Sequence, residues 1–124
     1  MKVIVASFSK CGTKTMAAAL RQLGLVVYDF LENYEFLGRH WNEILEHGGS
    51  PELFRRMYEG VDAVTDVPCC LFWEELLQAF PEAKVRKEEG GEGGLLLELN
   101  LSLRSFPFSN NFIHFIYFIH FPRF

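Results

Sequence analysis

Seven consecutive residues, Ser9-Lys10-Cys11-Gly12-Thr13-Lys14-Thr15, bring together the groups that hold an anion. Lys10 and Lys14 carry positive charge, Thr13 and Thr15 offer hydroxyl donors, and Gly12 lets the backbone approach an oxyanion with no Cβ in between. Such residues bind best where a tight turn and the first turn of a helix aim several backbone N–H groups at one point, because the helix dipole adds to the attraction. The flanking residues supply those elements. Val3, Ile4, Val5 and Ala6 form a short apolar run, the pattern of a strand buried on both faces of a parallel sheet. From Met16 onward an Ala- and Leu-rich segment places Met16, Leu20 and Leu23 at helical spacing, and Gly24 stands where a left-handed cap ends a helix. Strand, small-residue loop and helix, in that order, predict a phosphate cradle; an ordinary strand-to-helix turn that happens to hold Lys and Gly is the plainer alternative.

Spacing narrows the kind of cradle. A Walker loop needs glycine five residues before Gly12 and lysine after it, and Ser7 and Thr13 stand there. A dinucleotide fingerprint needs further glycines near Gly12, which are lacking. Cys11 beside Lys10 is placed for a lowered thiol pKa, but a phosphatase-type loop would have arginine six residues later, where Ala17 stands, so Cys11 reads as a small loop residue. The stretch from Ser9 to Thr15 does resemble the 5′-phosphosulfate loop of sulfotransferases, a P-loop-like superfamily, with Ser9 in place of the usual Pro and Cys11 in place of the usual Ser.

That resemblance implies in-line transfer of a sulfuryl group from the co-substrate 3′-phosphoadenosine 5′-phosphosulfate to a hydroxyl or amine of a small-molecule or glycan acceptor, with no metal required. Lys10 takes the position of the basic residue that contacts the transferring group, and Gly12, Thr13, Lys14 and Thr15 those that wrap the 5′-phosphate. Lys10 and the helix N-terminus would stabilise charge developing on the bridging oxygen. Asp66, at the carboxyl end of a strand beside the same mouth, is the candidate general base, with a helix-capping role as its alternative.

The chain of 124 residues has the length of one domain. Its net charge of −4, and the lack of a basic, aromatic stripe, give no expectation of nucleic-acid binding. Three cysteines, two of them the neighbours Cys69 and Cys70, fit neither a disulfide framework nor a spaced metal pair and suggest a reducing, cytoplasmic setting; Cys69 and Cys70 read as small apolar fillers near a helix start. No secretory pattern opens the sequence. His40 and His47 lie two helical turns apart, and His114 and His120 fall near the end of the chain, so no metal site is assigned.

Further along, residues 25–28 predict a second strand and 38–47 an amphipathic helix closed by Gly48-Gly49. Ser50-Pro51-Glu52 starts a helix to about Glu59, on whose solvated face Arg55 and Arg56 fall. Residues 61–65 predict a third strand, Cys69 to Phe80 an apolar helix packed on the sheet, and residues 83–85 a fourth strand. In the resembling family that strand leads into an Arg-Asp turn of the 3′-phosphate site. Here the pattern breaks off: residues 86–94 read as a charged, Gly-rich linker, and phenylalanine recurs every third residue from Phe112 to Phe124, a period of neither helix nor strand. The run from Phe112 to Phe121 is also too short for a membrane helix, so membrane contact is not expected.

The expectation is therefore a three-layer α/β domain over residues 1–85, partial and sulfotransferase-like, with a parallel sheet and a P-loop-like start. Residues 86–124 are a tail unlike the family, produced by splicing, read-through or a gene-model error. Three functions remain open: a sulfotransferase in truncated, inactive form; a non-catalytic phosphate-binding or interaction protein; and a P-loop kinase-like enzyme. Neither the acceptor nor an oligomeric state is legible.

Overall fold

Parallel strands covered on both faces need apolar side chains on both, and three of the four short strands here carry them, the edge strand with Lys84 and Arg86 being the exception. In a computed structural model, which describes residues 1–7 and 12–87, the strands are β1 (Val3–Val5), β2 (Val27–Tyr28), β3 (Ala63–Val64) and β4 (Lys84–Arg86). They form one parallel sheet in the order β2-β3-β1-β4, with Val3 opposite both Ala63 and Lys84. Val5, Ala63 and Val27 pack with Ala17 and Leu20 of helix α1 (Thr13–Gln22) on one face. Ile4 and Val64 turn to the other face, where a larger cluster gathers Trp41 and Ile44 of α2 (Phe30–His47), Phe54 of α3 (Pro51–Met57) and Leu76 of α4 (Trp73–Ala79). Helices on both faces of a parallel sheet make the expected α/β fold.

Several boundaries differ from those the sequence predicts, each for a local reason. Helix α1 begins at Thr13 rather than Met16, because Gly12 adopts φ 79°, a left-handed conformation that glycine takes without a steric cost, and turns the chain into the helix at once. Helix α2 begins at Phe30, eight residues before the predicted Gly38, on a complete capping box: the Asp29 carboxylate accepts from Phe30 N at 2.7 Å, and Glu32 accepts from Asp29 N at 2.9 Å. The predicted helix from Cys69 to Phe80 is two elements. Leu71 N donates to Pro68 O and Phe72 N to Cys69 O, three residues back, so Cys69–Leu71 is a 3₁₀ turn; four-back bonding resumes with Leu76 N to Phe72 O in α4. Strand β4 extends through Arg86, whose carbonyl accepts from Ala6 N at 2.8 Å, so Arg86 belongs to the sheet and not to a linker. The predictions made for residues 88–124, the Phe-rich repeat included, lie outside the described residues.

A buried polar knot ties α2 to α3 and the 3₁₀ turn. Asn33 Oδ1 accepts from Trp41 Nε1 at 3.3 Å, from the Tyr58 hydroxyl at 2.5 Å and from the Cys69 thiol at 3.6 Å, while Asn33 Nδ2 donates to Asp29 O at 2.8 Å. A fully buried amide is tolerated because its nitrogen donates and its oxygen accepts within the fold. At the opposite end of the strands, Asp62 accepts from Val26 N at 2.9 Å and pairs with Lys2 at 3.2 Å, joining the starts of three strands.

Candidate functional site

The mouth of the domain is set by connectivity. Strands β1 and β3 are hydrogen-bonded neighbours running the same way, so both open at their carboxyl ends onto the same edge. The helix that follows β1 lies on one face of the sheet and the helix that follows β3 on the other. Chains that diverge from adjacent parallel strands leave a crevice between them, the usual place for a ligand in such sheets.

Into this crevice the described part of the predicted cradle presents the N-terminus of α1. Gly12 is the N-cap, and the helix has neither a side-chain cap nor an acidic residue in its first turn. Its first N–H groups are therefore not taken up by a capping side chain, whereas Asp29 caps α2 and Ser50 Oγ accepts from Leu53 N at 3.2 Å in α3. Thr13 is buried, while Gly12, Lys14 and Thr15 are exposed. Ser9, Lys10 and Cys11 lie outside the described residues.

Asp66 follows β3 at the same edge and is 4% exposed, with φ 65°, a left-handed conformation uncommon outside glycine. Its carboxylate accepts from Val67 N at 2.7 Å and its carbonyl from Cys70 N at 2.9 Å. Asp66 thus closes the turn into the 3₁₀ segment, while α4 itself starts from Phe72. Burial pushes the Cys69 thiol up to about 12; the hydrogen bond with Tyr58 opposes this and the charge of Asp66 adds to it. Cys70 is raised by burial first and by Asp66 next. Both cysteines are buried and unpaired with each other.

Two residues not singled out as ligands from the sequence stand at the same edge. Ser7, just past β1, is 2% exposed and Thr65, just past β3, is fully buried; neither hydroxyl has a hydrogen-bond partner. The available sign was their position, small hydroxyl residues that end apolar strands leading to one mouth.

His40 and His47 do not approach the mouth residues. They border an open cleft of about 730 Å³ between α2 and α3, with Glu43, Arg56 and an apolar floor of Leu37, Leu53 and Met57, and the cleft shares no residue with the α1 turn. Among the described residues no three His, Cys, Asp or Glu side chains gather as a metal would need, and no helix is long and apolar enough to cross a membrane.

Residues 2–85, from the first strand through the fourth, match the family described as sulfotransferase domain. Among curated proteins, the chain is similar to Ava biosynthesis cluster protein M of Aspergillus versicolor, 36% identical over 95 residues. The alignment takes in 68% of this chain and 36% of that protein, so the chain spans well under half the length of the relative it matches.

Proposed function

The chain belongs to the sulfotransferase domain family, and from that premise we propose that its β1–α1 turn is the 5′-phosphosulfate cradle for 3′-phosphoadenosine 5′-phosphosulfate. The observation that carries this is the open N-terminus of α1, uncapped and without a first-turn carboxylate, at the carboxyl edge of two adjacent parallel strands. Anions are favoured there by the unpaired N–H groups and by the helix dipole together. Gly12, Thr13, Lys14 and Thr15 wrap the 5′-phosphate, and Ser9, Lys10 and Cys11 complete the loop, with the Lys10 ammonium on the transferring sulfuryl group.

In the reaction this site serves, an acceptor oxygen or nitrogen on a small molecule or glycan forms a bond to sulfur as the bridging S–O bond of the phosphosulfate breaks. Adenosine 3′,5′-bisphosphate leaves with the bond's electrons. The acceptor's proton goes to Asp66, which follows β3 and whose carboxylate accepts from Val67 N. Lys10 and the α1 N–H groups stabilise the charge that grows on the bridging oxygen.

The 124-residue chain itself transfers slowly or not at all. Arg86 ends β4, and the Lys87-Glu88-Glu89-Gly90 sequence that follows supplies no Arg-Asp turn for the 3′-phosphate. Loss of several charge-assisted bonds of about 1.5 to 3 kcal/mol each weakens donor binding by powers of ten. The chain then acts as a binding domain for the donor's 5′ end.

Calorimetric titration of 3′-phosphoadenosine 5′-phosphosulfate, which carries the sulfuryl group, into wild type and Lys10→Ala tests the cradle. The expected result is weak binding by wild type and a loss of about 10- to 100-fold in the variant, the equivalent of one charge-assisted bond. Equal affinities would remove Lys10 from the site. A labelled-donor assay over a broad acceptor panel is expected to show no Lys10-dependent turnover by the purified chain.

A further inference from the structure

Ser7 and Thr65 hold hydroxyls that the folded chain leaves unanswered. Both atoms are buried, and neither donates nor accepts in the structure. A buried hydroxyl with no partner is destabilising, and nearly all such groups in folded proteins are satisfied by protein, water or ligand. These two lie on neighbouring strands at the same end. The ladder pairs Ile4 with Val64, so one step further places Val5 beside Thr65, with Ser7 two residues beyond Val5.

Their facing follows from the strand period. Val5 and Ala63 point to the face that α1 covers, and an alternation of two carries Ser7 and Thr65 to that same face. It is the face that α1 covers, and the two residues follow the carboxyl ends of the adjacent strands β1 and β3, where the connectivity predicts a crevice.

We propose that Ser7 and Thr65 form a hydroxyl pair at the floor of the crevice that hydrogen-bonds a tetrahedral oxyanion of a nucleotide 5′-phosphate or 5′-phosphosulfate bound at the α1 N-terminus. The proposal rests on the cradle described above. A serine and a threonine suit this task because each hydroxyl turns about a single Cα–Cβ bond, donates to an anionic oxygen and needs no change in the strands. The pair adds two donors from the sheet to those from the helix, so the oxyanion is held from two elements. Each variant is therefore expected to lower affinity without lowering the stability of the free protein.

The test is calorimetric titration of adenosine 3′,5′-bisphosphate into the full 124-residue chain as wild type, Thr65→Val and Ser7→Ala, with thermal midpoints of the unliganded proteins. Valine keeps the shape of threonine, and alanine removes one atom from serine, so one variant remains informative if the other does not fold. The expected result is an affinity loss of threefold or more in each folded variant, with a midpoint equal to or above wild type, since the unanswered hydroxyl is gone. A loss smaller than threefold, while Lys14→Ala still weakens binding, would overturn the hydroxyl pair and leave the cradle standing. Absence of binding by wild type would overturn both.

Discussion

Burial holds Cys69 and Cys70 as neutral thiols, and that has a sign in solution. In the folded chain the Cys69 thiol is pushed up to about 12 from a usual 9.0, and Tyr58 is raised by burial as well, so the unfolded chain releases these protons first as pH climbs. Their contribution to stability is whole below pH 9.0 and is lost as pH rises towards 12. Thermal midpoints are expected to fall through that window, and Cys69 and Cys70 should resist a maleimide at pH 7.5 yet label fully in denaturant, as read by mass spectrometry of the digested protein. Rapid native labelling of either would mean that the 3₁₀ turn is open. At this scale the sequence is only partly legible. Residue types mark residues 9–15 as a proposed anion loop, whose described part, Gly12 to Thr15, is the start of α1. They do not reveal that one Asn33 oxygen gathers Trp41, Tyr58 and Cys69 from positions 8, 25 and 36 residues away, a matter of tertiary packing. Nor do they say that Asp66, read as a base, spends a hydrogen bond on its own turn.

Helix ends decide how the elements aim at the mouth. The Asp29–Glu32 box starts α2 directly after β2 and places Asn33 one turn in, beneath Tyr58. Asp29→Ala is expected to lower unfolding free energy by about 1 kcal/mol, measured by urea denaturation, with no change in binding at the α1 turn. An unchanged midpoint would show that Glu32 alone holds the end. The box was visible in the sequence as Asp-Phe-Leu-Glu, but the strand before it ends at the same aspartate, and one residue cannot announce both roles. The early start of α1 was hidden for a different reason: Gly12 as an N-cap depends on a positive φ that no neighbouring residue type requires. Strand positions were legible because buried parallel strands carry short apolar runs, and the order β2-β3-β1-β4 was not, since it depends on which edges pair.

For the whole molecule, the matched residues 2–85 take in the parallel α/β sheet, and β1 leads into α1, whose N-terminus has no side-chain cap. The family match ends at residue 85, beside the last described strand, and the chain spans 36% of its curated relative. The proposed function turns on whether the α1 N-terminus binds a phosphate. The most direct measurement is an amide chemical-shift titration of the isotope-labelled chain with adenosine 3′,5′-bisphosphate, repeated with adenosine as a control lacking phosphate. The account predicts saturable shifts centred on Gly12, Thr13, Lys14 and Thr15 with the bisphosphate and none there with adenosine. Shifts that leave these four amides unmoved and gather at the cleft of His40, Glu43 and Arg56 would contradict it.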